Sequence, residues 1–313
     1  MPSIGRDRSP PTARRSPLRR MLLAAALGCL VAPFGAAHAA DPSLNPQIAA
    51  LLPANLKGVL HDALPKQLQS KGTFVMATDG TSGKPIAWVE GSTIKGVTVD
   101  MAQALGYVLG VNVTVTNTPF DDMIPSLQSD RAQFSISDML DTKKRETVVD
   151  FVDYLVDGSS ILVAADSKLH NLTLAEMCGL TVGSIRGSVE EGYLEKQAAQ
   201  CKAEGKPALT VNVYQGNDQM LLALVSGRTE VMMGASAQLA YIAQISHGKA
   251  KQGGAPIGLA VDGIAVPKNS GLTEPMRLAL QKLMDSGVYA KIFALYGLEA
   301  NMVPKATVNQ ARY

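Results

Sequence analysis

Aromatic residues are scarce in this chain: six Phe, eight Tyr and one Trp make up 5% of its 313 residues. Apolar residues reach 46% and charged residues 18%, so the chain has the composition of a packed globular protein whose cores are aliphatic. Cysteine is rare, with three residues, and the four histidines, at positions 38, 61, 170 and 247, are far apart. No His or Cys spacing resembles a metal site, so neither a metal nor another cofactor is expected. Glycine-rich phosphate loops, Gly-x-Ser-x-Gly elbows and zinc-protease helices are all missing. Gly253-Gly254 followed by Ala255-Pro256 marks only a turn.

A basic surplus is also lacking once the N-terminus is set aside. Residues 1–40 carry six arginines and one aspartate, so the remainder holds 23 basic and 26 acidic side chains, a net of −3 against +2 for the whole chain. Nothing there attracts nucleic acid. Those forty residues read as an export signal. Arg14, Arg15, Arg19 and Arg20 form a basic region, residues 21–34 an apolar stretch too short for a membrane span, and Ala37-His38-Ala39 a small-x-small cleavage site. Cleavage after Ala39 or Ala40 leaves a periplasmic protein. Ala26-Leu27-Gly28-Cys29 is a poor lipid-attachment signal, and Cys29 departs with the leader. Cys178 and Cys201 remain; an oxidising compartment favours their pairing, the alternative being two separate buried thiols.

Beyond a lead-in with a short helix at 55–61, strands and helices alternate. Strands are expected at 72–77, 111–115 and 133–136, and helices at 100–109, 121–128 and 142–149, with a small hairpin before Gly96. The pattern repeats. Strands at 180–184, 210–214, 230–233 and 258–266 alternate with helices at 188–199, 217–225 (capped by Asn217 or Asp218) and 236–246; helices at 273–284 and 288–296 follow. Two such blocks predict two α/β lobes with parallel sheets. Ligands then bind beyond the carboxyl ends of strands and between domains. This singles out the loops 79–84, 137–145, 185–188 and 234–236.

The order of motifs resembles the family 3 solute-binding proteins of bacterial ABC importers, the polar amino-acid binders. Gly96-Val-Thr-Val-Asp100-Met is similar to a Gly-Phe-Asp-Ile/Val-Asp-Leu signature, with Thr98 where an Asp is usual. Pro119-Phe120-Asp121-Asp122 is similar to the segment carrying a ligand-stacking aromatic. Asp141-Thr142-Lys-Lys-Arg145 through Asp150-Phe151 is similar to a Thr-x-x-Arg…Phe segment. Gly263 to Lys268 and residues 283–297 are similar to the return strand and C-terminal helices. The resemblance covers roughly residues 72–302. It implies a two-lobed type II periplasmic-binding-protein-like fold crossed twice by the chain. Lobe one is then 70–160 with 263–313 and lobe two 161–262, with hinges at Ser159-Ser160 and residues 260–262. It also places Cys178 and Cys201 where many members have a disulfide.

By the same resemblance, Arg145 holds the ligand carboxylate, a task that suits the planar guanidinium fork; composition alone would make it a surface residue of the Lys143-Lys144-Arg145 run. Phe120 is the stacking aromatic, and Trp88 a second wall or a core residue. Asp138 and Met139 lie on a loop that normally offers backbone groups and a Ser hydroxyl. Asp138 either pairs with Arg145 or receives a ligand ammonium. Gly187 and Ser188 offer backbone N–H groups at a helix start, and Arg186 beside them reads an acidic group or is simply solvated. Ala235 stands where members usually place an Asp for the ligand's α-ammonium. Either Asp138 or Asp79 takes over that role, or the ligand is not a standard α-amino acid.

The expected partners are an amino acid or related carboxylate and an inner-membrane ABC permease, with the protein a monomer. One rival reading is a cyclohexadienyl-type dehydratase on this fold with Asp138 as general acid, a role that the nearby Arg145 opposes. Another is a ligand-sensing binding protein.

Overall fold

The computed structural model describes residues 44–312. The expected export signal and its expected cleavage site lie outside the described residues. Twelve strands are present among them: β1 (Thr73–Thr78), β2 (Trp88–Glu90), β3 (Thr93–Lys95), β4 (Asn112–Asn117), β5 (Phe134–Ser135), β6 (Val149–Ala164), β7 (Thr181–Ile185), β8 (Thr210–Tyr214), β9 (Val231–Ala235), β10 (Ala250–Gln252), β11 (Ile257–Pro267) and β12 (Met302–Val308). β2 and β3 form the hairpin before Gly96. The others join one sheet of order β4-β1-β5-β11-β6-β9-β7-β8, with β10 and β12 also on β6.

The two lobes are wings of this sheet. β4, β1 and β5 run parallel in one, and β9, β7 and β8 in the other. Between them β6 and β11 run antiparallel to each other, β6 extending for 16 residues from one wing into the other. The expected parallel sheets are therefore present but are linked by these crossing strands. The region expected as a helix at 142–149 is helical only over Lys143–Glu146, after which the chain enters β6. Asp150, Asp153, Asp157 and Gly158 interrupt the apolar pattern and hide this strand from a sequence reading. The lead-in helix at 55–61 resolves into two 3-10 turns, Ala54–Leu56 and His61–Ala63, behind a short helix Pro46–Leu51.

Alternation of side chains across each strand packs both faces. In the second wing Ile161 and Val163 point into one aliphatic cluster, and Leu162 into another with Met220, Leu224 and Leu239. β9 does the same, with Val231 and Met233 on one face and Met232 on the other. In the first wing Phe74 and Met76 face the largest core, with Met101, Leu105 and Phe293, while Ala77 faces Phe120, Met123 and Phe151. Met101, Leu105 and Val108, spaced at i, i+4 and i+7 on the helix Val97–Leu109, are all buried as their spacing predicts. Cys178 and Cys201 are joined by a disulfide that ties the turn after Leu174–Met177 to the helix Val189–Ala203.

Candidate functional site

The cleft lies where the strands of both wings end, between the loops after β1, β5, β7 and β9. Asp79 follows β1 and is almost fully buried. Its Oδ1 accepts from the Thr81 amide (2.8 Å) and the Thr81 hydroxyl (2.7 Å), and its Oδ2 from the Phe120 amide (3.1 Å). The carboxylate thus fixes the β1 loop and the start of the Phe120 turn together. Burial raises its pKa, and the Thr81 hydrogen bonds pull it back.

The segment after β5 carries the charge chemistry. Tyr154, fully buried on β6, donates to the Ser137 carbonyl at 2.9 Å. The Asp141 amide donates to Val261, the Gly263 amide donates to Met139, and Leu140 bridges Asp262 of β11. The loop is therefore stitched to β11. Thr142 then caps the following turn, its hydroxyl accepting from the Arg145 amide at 3.2 Å. This aims Arg145 inward. Its Nη1 donates to the Leu140 carbonyl (2.8 Å) and its Nη2 to the Gly187 carbonyl of the other lobe (3.0 Å). The guanidinium lies 5.5 Å from the Phe120 ring centre. Desolvation lowers the Arg145 pKa, against the opposing charges of Glu190, Asp262, Asp138 and Asp141; a guanidinium stays protonated regardless. The ion pairs of the described residues do not include Arg145.

The lobes are closed, and specific bonds hold them so. Gln238 Nε2 donates to Asp138 Oδ2 at 2.6 Å, while Asp138 Oδ1 accepts from the Ser137 hydroxyl at 2.7 Å. The Thr81 hydroxyl donates to the Gln215 carbonyl (3.1 Å), and Asn217 Nδ2 to the Ser82 carbonyl (2.7 Å). Asn217 is thus not the cap expected of it: Gly216 occupies the cap position, and the Asn side chain crosses the cleft. Gly187 adopts φ +75°, and a Cβ there would come within 3.0 Å of the Asp121 Cβ, so this approach of the lobes requires glycine.

Of the residues singled out from sequence, Asp79, Phe120, Asp138, Arg145 and Ser188 line one cleft. Ser188 caps the helix Val189–Ala203, its hydroxyl accepting from the Glu191 amide at 3.2 Å. Gly187 reaches the cleft through its carbonyl. Three do not line it. Met139 is packed in the core behind it with Phe120 and Phe151. Trp88 stands on the hairpin, edge-on to Tyr296 with Lys84 over its ring. Arg186 is exposed. Asp138 bonds to Gln238 and not to Arg145.

Sequence reasoning missed Asp157, Glu190 and Asp262, all nearly buried and all lining the cleft. Asp157 Oδ1 accepts from the Gly158 amide (2.8 Å) and Oδ2 from the Ala237 amide (3.3 Å) at the start of the helix Ser236–Ile245. Glu190 accepts from the Ser159 hydroxyl at 2.6 Å. Burial pushes Asp157 up to about 7, with the Asp138 and Glu190 charges adding to it, while the Gly158 and Ala237 amides oppose the rise. Asp262 is raised well above the usual carboxylate range by burial and then by Asp157, Asp138 and Glu190, with Arg145 opposing. The available signal was an isolated acid in an otherwise apolar strand, as at Asp262 between Val261 and Ile264.

Two wings bridged by crossing strands, with the cleft between their loops, define the two-lobed type II periplasmic binding proteins. An ancestral arginine-binding protein solved with arginine is similar at a TM-score of 0.65 and 30% identity, covering 72% of this chain and 98% of that one. The arginine-binding protein ArgT of Corynebacterium glutamicum is 31% identical over 218 residues, 69% of this chain and 71% of the relative. The ABC transporter arginine-binding protein 1 of Escherichia coli is 27% identical over 209 residues, 64% of this chain and 80% of the relative. Residues 74–299 match the bacterial extracellular solute-binding proteins, family 3, and the chain belongs to that family. It is a solute-binding component of the ABC importer type, and its relatives are binding proteins rather than enzymes.

Proposed function

We propose that this protein receives an amino acid with a cationic side chain in the periplasm and presents it, in the closed form, to an inner-membrane ABC permease. The observation that carries this reading is the charge of the cleft. Asp79, Asp138, Asp157, Glu190 and Asp262 line it, and Arg145 is the only cationic side chain among the lining residues. A ligand carboxylate answers Arg145; the remaining acids call for positive charge, since burial and crowding disfavour their ionised forms until a cation pairs with them. The arginine-binding relatives support the same class. Phe120, next to Asp79, offers a flat face to a guanidinium or ammonium.

The moving bodies are residues 70–160 with 263–313 and residues 161–262, hinged at Ser159-Ser160 and residues 260–262. Closure excludes water and strengthens each polar contact. The protein acts as a monomer, after removal of residues 1–40.

Calorimetry on the mature protein, unfolded and refolded to strip bound solute, tests the reading. L-Arginine, L-lysine or L-histidine binds with a dissociation constant of about 0.1–10 μM, about −7 to −10 kcal/mol. Arg145→Ala weakens that binding by about 30-fold or more, since it removes one partner of a buried charge pair. Preference for L-glutamate, or the absence of any cationic ligand, would refute it.

A further inference from the structure

The hydrogen bonds of the cleft separate one carboxylate from the rest. Asp79 gives both oxygens to its own loop and to the Phe120 amide. Asp138 gives its oxygens to Ser137 and Gln238. Asp157 holds the Gly158 amide and caps the helix that begins beside Ala235. Glu190 holds Ser159. Asp262 is 2% exposed and lines the cleft, and its Oδ2 has no hydrogen-bond partner. A buried carboxylate oxygen left unpaired is expensive, and a native protein retains one where something else completes it.

We infer that Asp262 accepts the ligand's α-ammonium, the role that Ala235 cannot fill. The assignment rests on the amino-acid reading above and names the group that recognises the zwitterion. Geometry supports Asp262 over the two acids suggested by sequence. An α-carboxylate and an α-ammonium share one carbon, so the acceptor must lie beside the carboxylate's own anchor. Arg145 donates to the Leu140 carbonyl, and Leu140 pairs with Asp262 across the bridge between the loop and β11. Asp262 therefore sits one backbone step from the guanidinium. The ammonium site is then built on a crossing strand instead of on the second-lobe loop. Asp157 supplies the carboxylate that the helix start at Ala237 needs, so Ala235 is tolerated there without leaving that amide unpaired.

The groups facing Asp262 are Asp157 and Tyr154 from β6, Asp138 and Arg145 from the segment after β5, and Glu190 from the second lobe. Burial and these like charges raise the Asp262 pKa, and an arriving ammonium favours its ionised form. Pairing with the ammonium therefore favours proton release, and affinity rises with pH, as linkage requires when the ligand favours the ionised form.

The test compares L-arginine with 5-guanidinopentanoate, the same skeleton without its α-ammonium, on the wild type and on Asp262→Asn, an isosteric change. The expected result is an arginine affinity weaker by about 30-fold or more in the variant. Binding of 5-guanidinopentanoate should change by no more than about twofold, as for an uncoupled pair. Equal loss for both ligands, or no loss for either, overturns the assignment while leaving the amino-acid reading intact. A wild type that binds neither arginine nor any other α-amino acid overturns both. Should the variant not fold, the wild type still decides: titrations in two buffers of different ionisation enthalpy should show more proton release with arginine than with 5-guanidinopentanoate. Identical proton release for the two sinks the assignment.

Discussion

Arg145 owes its position to neighbours that were chosen for backbone reasons. Thr142 caps the turn, Leu140 and Gly187 lend carbonyls, and Phe120 lies under the guanidinium. Two of its five donors serve the backbone, and a planar fork can still offer others to a carboxylate. Lysine has a point charge and no fork, so Arg145→Lys should recover little of the binding lost in Arg145→Ala; calorimetry of the two variants side by side measures it. Gln238 is the other residue whose role is narrow enough to test. Its bond to Asp138 spans the cleft and helps hold the lobes together. A hydrogen bond to a charged group is worth about 1.5–3 kcal/mol. Gln238→Ala should therefore weaken ligand binding by about tenfold, through less favourable closure. An unchanged affinity would mean that closure is held elsewhere.

Elements carry their own consequences. The helix Val97–Leu109 begins at Gly96, which adopts φ +140° and sits so close to the hairpin that a Cβ would lie 2.0 Å from the Ile86 carbonyl oxygen. Gly96→Ala must move the hairpin or the helix and should cost about 1–3 kcal/mol or more, readable in urea denaturation. The disulfide between Cys178 and Cys201 closes a separation of 23 residues in the second lobe. Replacing both cysteines by serine should lower stability by about 3 kcal/mol in the chain-entropy account. The element boundaries also show where pattern reading succeeds. Helices with a clear apolar stripe, such as Val97–Leu109 and Thr273–Asp285, fall close to their expected limits. β6 was missed because its buried polar residues serve the cleft and the C-terminal strand. Asp153, for instance, accepts from the Thr307 hydroxyl of β12 at 2.6 Å.

At the scale of the molecule, the buried acids set how stability responds to pH. Burial, together with Asp153 and Glu146, pushes Asp141 up to about 7. Burial pushes Asp153 to about 6 and Asp157 to about 7. Their unfolded values lie near 3.9, so between about pH 4 and 7 the folded state binds more protons than the unfolded one. Stability contributed by these groups is then lost as pH rises through that window. Asp150, although desolvated, is held below its usual value by Lys268, Asn309 and Thr273, and Glu274 by Arg277. Those contributions are present above about pH 4 and lost on further acidification. The ligand-free protein should therefore melt highest near about pH 5 and at lower temperature by pH 8. A thermal scan across that range checks it; a melting temperature that rises toward pH 8 would show that the buried acids ionise without penalty.

Sequence alone determined the alternation of strands and helices, the two-lobed class and the loops at which a ligand meets the chain, because apolar periodicity and turn residues act over a few positions. It also singled out Arg145, Phe120 and Asp79, which lie in or beside recognisable local motifs. Only the tertiary structure decided that Met139, Trp88 and Arg186 lie outside the cleft and that Asp157, Glu190 and Asp262 lie within it. Those three come from two crossing strands and a second-lobe helix, and their charges acquire meaning from burial and from one another. Neither burial nor proximity across a hundred residues is written in local pattern; both arise when β6 and β11 run side by side between the lobes.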